Sequence, residues 1–375
     1  MKKILLLTLA NLRKAKSQAV SFFGMALIAA LLLSLGLVTW LNYDNNFHKK
    51  GVELNTEHGL LATQNNTPEG IRAVKAEFEG DNQTDVIQES PILFSQASFS
   101  YGQGEQSQNI VILNRSDERE MGKTLFVEED HGINDKPIYL PYLYQTGGGY
   151  HMGDDFTLKI GGQSTTYTVA GFYENMMLGS TNLGVSSIML EDKDYQALSE
   201  SFAQSIDGTL FSIQLKDKTQ NRPYMTEHVS KLTGGLLQNE LAGAVYYDLA
   251  KQARTMTSSI GSIIVVAFSI IIVGIALIVV RFRIANSIEE GIKNIGVLKA
   301  IGYTNNQIAA SILLQFLITG VLGCIVGIGL SYAVLPILSA GYAAQTGILW
   351  NQGFDGVSAC ITLLSITIMI ALTAG

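Results

Sequence analysis

Four stretches of the chain, residues 19–41, 260–280, 308–335 and 357–375, are apolar over close to the roughly 20 residues that a helix needs to cross a hydrocarbon core. Any fold must hide them from water. About 215 polar, turn-rich residues separate the first stretch from the second, whereas only a short charged segment separates the second from the third. With 47% hydrophobic and 15% charged residues, the composition is too apolar for a soluble protein of this length. The fold class expected is an α-helical membrane protein with four transmembrane helices and a large mixed α/β domain between helices 1 and 2.

The first stretch lies near the N-terminus, where a cleaved secretory signal would also lie. A signal has an apolar core of roughly 7 to 15 residues and small residues around a cleavage point. This stretch is longer and ends in Thr39, Trp40, Leu41, Asn42 and Tyr43, aromatic residues suited to a headgroup boundary. It reads as an uncleaved anchor.

Charge sets the orientation. Residues 1–19 carry five Lys or Arg and no acid, and the 281–310 segment carries Arg281, Arg283, Lys293 and Lys299 against Glu289 and Glu290. Both segments are expected in the cytoplasm, which puts the large domain outside. That domain holds 16 basic and 29 acidic residues, a formal charge near −13, which argues against nucleic acid or anionic lipid as its partner. Cys324 and Cys360 are the only cysteines and both fall in apolar stretches, so the outer domain must fold on its core without a disulfide.

Within that domain, Phe156, Leu158 and Ile160 alternate with Thr157 and Lys159, Gly161 and Gly162 turn the chain, and Tyr167 and Val169 alternate with threonines. This is a hairpin pattern. Further strands are predicted at 109–113, 185–190 and 210–215, and helices near 71–78, 192–202 and 224–232. A last helix from about Ala244 is expected to run unbroken into the second membrane helix, because no Pro or Gly intervenes before Gly261.

The short charged segment has a helical repeat. Ile284, Ile288, Ile292, Ile295, Leu298 and Ile301 recur three or four residues apart, while Glu289, Glu290, Lys293 and Asn294 fall elsewhere. Gly302 suits the left-handed turn that often ends a helix. Thr304 and Gln307 have the spacing of a capping box at the start of the next one. A helix, a corner and a second helix are therefore predicted, and a surface helix that merely joins two spans has the same pattern.

The segment IGVLKAIGYTNNQI, residues 295–308, followed by ILLQFLITGVLGCIVGIGL, resembles the FtsX and MacB type of ABC-transporter permease. Two positions depart from that family's pattern: Asn294 and Gln315 stand where many members have Glu. A second stretch, residues 137–174, is similar to the MacB-like extracytoplasmic core domain, with Gly153, Asp154, Val169 and Gly171 at matching places.

The resemblance implies a domain plan. Residues 1–18 would be a cytoplasmic amphipathic segment, 19–42 the first transmembrane helix, and 43–256 the extracytoplasmic MacB-like α/β domain. Residues 257–375 would be an FtsX-like permease domain with a cytoplasmic coupling helix at about 284–301. It also implies a permease that dimerises with a second copy or a homologous permease and seats on a cytosolic ABC ATPase subunit, with no nucleic-acid partner. ATP would be bound by that partner, so no cofactor is expected here, and the chain has no G-x-x-x-x-G-K-[ST] segment. Residues implied in ATPase coupling are Ile292, Ile295, Gly296, Leu298, Lys299, Ala300 and Gly302. Thr304 and Gln307 would cap the next helix, and Gly320, Gly323 and Gly327 would allow close helix packing, within the chain or across a dimer seam. The expected setting is the bacterial plasma membrane, multi-pass, with the N-terminus inside.

No catalytic or metal site is expected: the histidines His48, His58, His131, His151 and His228 have no ligand spacing, and no Ser lies in a G-x-S-x-G or S-x-x-K context. Three functions fit: a permease subunit exporting or extracting a peptide, lipid-linked or hydrophobic compound; an FtsX-like transducer activating a cell-wall hydrolase; and a membrane-anchored sensor or extracellular enzyme. The last apolar stretch ends at Gly375 without the basic tail usual in the family, and the sequence is expected to be truncated at its C-terminus.

Overall fold

Ile110 and Ile112 belong to one apolar core while Val111 and Leu113 belong to another, the signature of a strand buried on both faces. The computed structural model describes residues 2–14, 16–64, 66–233, 241–290, 292–350 and 352–374. They divide into two compact units, one of residues 45–258 with 340–350, the other of residues 1–44, 259–339 and 351–375.

The first unit is built on a sheet that has ten strands among the described residues. In chain order they are β1 (Gly59–Thr63), β2 (Thr84–Tyr101), β3 (Gly104–Asn114), β4 (Leu125–Glu129), β5 (Pro137–Pro141), β6 (Asp155–Ile160), β7 (Gln163–Glu174), β8 (Val185–Leu190), β9 (Asp207–Leu215) and β10 (Leu241–Tyr246). The spatial order is β10-β1-β9-β2-β3-β8-β5-β7-β4, with β6 pairing β2 and β7. The hairpin of β6 and β7 closes at Ile160↔Gln163 over Gly161 and Gly162, whose φ values of 54° and 83° suit glycine. β2 is the longest strand. Its first half pairs β9 from Thr84 to Leu93, and its second half pairs β3 from Leu93 to Tyr101.

Two helices cover the β1 and β9 end of this sheet: α3 (Pro68–Glu79) and α6 (Asn221–Thr233). Thr67 caps α3 by accepting the Gly70 N–H at 3.1 Å, with Pro68 in the first turn. Val74 and Phe78 then bury against Phe211, Ile213, Tyr224 and Met225. The short α4 (Tyr142–Thr146) and α5 (Asp192–Ser201) complete this unit. The helix expected from about Ala244 begins only at Tyr247, because residues 241–246 extend the sheet by pairing with β1. A free sheet edge offers six residues their backbone partners, and that outweighs the weak helix preference of an Ala-Val-Tyr run.

The second unit is helical. α1 (Lys2–Lys14) precedes α2 (Lys16–Glu53), and α7 (Tyr247–Glu290), α8 (Ile292–Ala300), α9 (Asn305–Thr346) and α10 (Gly356–Ala374) follow the sheet domain, with α2, α7 and α9 extending into both units. Among the described residues, two helices are long and apolar enough to cross a membrane, Lys16–Asn42 and Asn305–Thr346. A third candidate is the pair Tyr247–Met256 and Ser259–Ile275, both within α7, which runs on from residue 247 to 290 as a helix; Gly356–Leu372 is a shorter apolar helix. The helix that holds the third apolar stretch, α9, runs on through Pro336. One missing N–H is tolerable where neighbouring turns keep their hydrogen bonds.

Candidate functional site

The corner between α8 and α9 is defined by backbone geometry. Gly302 has φ of 94°; its N–H donates to the Lys299 carbonyl at 3.0 Å, and the Tyr303 N–H donates to the Leu298 carbonyl at 3.0 Å. This pair of bonds is a Schellman closure, which needs a left-handed residue where Gly302 sits. Two residues on, the Gln307 N–H donates to Thr304 Oγ1 at 3.4 Å and the Thr304 N–H donates to Gln307 Oε1 at 3.2 Å. One helix is thus closed and the next opened within a few residues, and the carbonyls of Leu298 and Lys299 and the N–H of Gln307 find partners there.

What precedes the corner is open. Gly296, Lys299 and Ala300 are exposed and Leu298 is half-buried; Val297 and Ile301 are 57% and 70% exposed. The side chains of Ile292 and Ile295, like those of Ile284 and Ile288, lie outside the described residues. The segment expected as a helix over 284–301 is helical over 284–290, in the end of α7, and over 292–300, in α8. The arrangement offers a small apolar surface with a cation beside it, held by a rigid turn.

Two glycines of α9, Gly323 and Gly327, face α2. A Cβ on Gly323 would lie 2.7 Å from the Phe23 carbonyl oxygen and 3.0 Å from the Ala26 Cβ. One on Gly327 would collide with the Leu27 carbonyl oxygen. Gly320 is closed off by Ile370 and Phe22. Around this seam Phe22 packs edge-on against Phe316, with centroids 5.3 Å apart, and the buried Ser331 hydroxyl donates to Ser34 Oγ at 2.9 Å. The small residues therefore serve a contact within the chain. Gln315 is buried in the same helix. Asp355 caps α10, accepting the Val357 N–H at 3.1 Å and the Asn42 side-chain N–H at 2.8 Å.

The sheet unit holds a charged cluster that the sequence reading missed. Glu174, at the end of β7, is fully buried. Lys50 Nζ donates to its Oε2 at 2.8 Å, and the Leu349 N–H donates to its Oε1. Asn175 alongside accepts the Met177 and Leu178 N–H groups at 3.1 and 2.7 Å and donates to the Gly122 carbonyl at 3.2 Å. Thr146 Oγ1 donates to the Ala344 carbonyl at 3.1 Å, so residues 340–350 are held at several points. Burial would lower the Lys50 pKa, but hydrogen bonding and charge from Glu174 reverse this and hold it above its usual value. Nearby, buried Glu57 sits 3.7 Å from Arg119, and burial pushes its carboxyl up against the lowering effect of that guanidinium. A signal was present in VAGFYENMML: a lone acid closing the apolar second half of a strand.

Two histidines are structural. His58 Nδ1 accepts the Leu215 N–H at 3.0 Å, and burial, together with the Lys218 ammonium, lowers its pKa. His228 is buried with Nδ1 2.8 Å from Glu77 and Nε2 3.1 Å from Asp81. Among the described residues no group of three His, Cys, Asp or Glu is placed to hold a metal.

Residues 266–375 match the family model described as FtsX-like permease C-terminal. The match spans the exposed corner, the glycines of α9 and the whole of α10. Among solved structures, the extracellular domain of the noncanonic ABC-type transporter YknZ from Gram-positive bacteria is similar at 13% identity, over 50% of this chain and 98% of that one, with a TM-score of 0.23. A search of curated proteins returned no match.

Proposed function

We propose that this chain is the permease subunit of an ATP-binding cassette transporter, driven by a separate cytosolic ATPase. The observation that carries the reading is the exposed apolar end of α8, Val297 and Ile301 beside Lys299, set on the Gly302 turn inside the segment similar to FtsX-like permeases. Apolar side chains next to a charged, water-facing helix surface need a cover, and a cytosolic ATPase supplies one if residues 281–310 lie inside the cell.

In this reading α2, α7, α9 and α10 are the four membrane spans, and the N-terminus is cytoplasmic. The sheet unit stands outside the plasma membrane of a bacterium. Two permeases pair over two ATPases, and closure of the ATPases moves α8 and, through the spans, the outer domain. The work done is export or extraction of a peptide, lipid-linked or hydrophobic compound.

The test is purification of the tagged chain from its native membranes with assay of the nucleotide hydrolysis retained. Retention by the natural chain, lost in Ile301→Glu and Lys299→Glu, is expected. Retention of no ATPase, or labelling of Lys299→Cys only from outside intact cells, overturns the reading. A cell-wall hydrolase bound to the outer domain would shift it to a transducer.

A further inference from the structure

Helix α1 carries leucines on the side that faces away from the protein. Leu5, Leu6 and Leu9 are 50%, 67% and 47% exposed, while Thr8 is fully buried. The Thr8 hydroxyl sits between the carbonyls of Ile4 and Ser311, at 2.9 and 3.1 Å, so α1 is fastened to the first turns of α9. Ile4, Leu7 and Asn11, on the same side as Thr8, are half-buried. The outward face is therefore not a misplaced core face: the helix already has one packed side and presents a second apolar side.

Charge identifies what covers it. Lys2, Lys3, Arg13, Lys14 and Lys16 flank the leucines, and no acid occurs before Asp44. Arg13 is exposed and four residues from Leu9, on the leucine side of the helix. A leucine face bounded by cations is the pattern of a helix lying in the headgroup layer of an anionic bilayer, its leucines at the acyl boundary and its basic side chains reaching the phosphates. Position agrees, because α2, which follows after residue 15, is long and apolar enough to cross a membrane.

We propose that α1 is an interfacial helix that binds anionic lipid and, through Thr8 and Ser311, fixes the start of α9 at the membrane surface. This rests on α2 spanning a bilayer and needs no ATPase.

The test uses the full chain with Cys360→Ser and Leu6→Cys, carrying an environment-sensitive fluorophore at position 6. The buried Cys324 stays in place, and the chain without Leu6→Cys gives the background. The protein is reconstituted into phosphatidylcholine vesicles with or without phosphatidylglycerol, and flotation with the vesicles is checked first. Blue-shifted emission and quenching by doxyl lipid, present with phosphatidylglycerol and weakened about tenfold at low salt by Arg13→Glu, are expected. Quenching by aqueous iodide regardless of lipid charge overturns the proposal. So does protection that follows protein density and not lipid composition, which would mean that a second copy covers the face. A chain that fails to float overturns the membrane reading along with it.

Discussion

Lys50 Nζ lies 2.8 Å from Glu174 Oε2, and the Glu174 side chain has no exposure to solvent. The carboxylate's other oxygen takes the Leu349 N–H. One acid thus joins the end of α2, the end of β7 and residues 340–350. A buried carboxylate is costly unless each oxygen is paired, so the cluster holds these segments in one arrangement or none.

Lys50→Met should destabilise the sheet unit by about 3 to 5 kcal/mol, the range for stripping one partner from a buried ion pair. Glu174→Gln, which keeps an acceptor and loses the charge, should cost less, about 1 to 3 kcal/mol. Urea unfolding of the full chain, followed by amide exchange in β7, measures both. Equal tolerance of the two substitutions would remove the pair from the account.

His58 gives a pH dependence. Its folded pKa lies below its usual 6.5, so the neutral ring is the folded form. The stability it contributes is fully present above the unfolded value and is lost as pH falls through the folded value. Amide protection of β1 and β9 should weaken on acidification below 6.5, and His58→Gln should flatten that slope. A slope unchanged by the substitution would assign it to other groups.

Gly327→Val should weaken the seam between α2 and α9, because its Cβ meets the Leu27 backbone. About 1 to 3 kcal/mol is the expected cost of overpacking. Gly329→Val, where nothing lies within 4 Å of the Cβ position, should be tolerated. Melting temperatures of the two variants in detergent decide it.

At the corner, Gly302→Ala places a Cβ in a left-handed conformation and should cost about 1 kcal/mol. Thr304→Ala removes the cap acceptor at a similar cost of about 1 kcal/mol. If α8 docks an ATPase, both should lower ATPase retention while the melt of the sheet unit stays unchanged. A fall in that melt instead would mean global damage.

Local patterns were legible where one residue type has one job. Gly161 and Gly162 announced the β6–β7 hairpin, and the strands predicted at 185–190 and 210–215 lie within β8 and β9. Resemblance to the FtsX type rested on residues 295–330, inside the 266–375 match. Strands β1, β5 and β10 were not legible: each is five or six residues long and becomes a strand because a neighbour offers an edge.

The sequence by itself determined which stretches leave water, where glycine must turn the chain, and which helix end is capped, because solvation and backbone torsion are properties of a residue and its near neighbours. Only the tertiary structure decided that Glu174 takes Lys50, that Gly323 and Gly327 meet α2, and that Thr8 holds α1 to Ser311. Those choices depend on pairing groups 124 or 303 residues apart, and the cost of burying a polar group selects its partner only once the fold brings the two together.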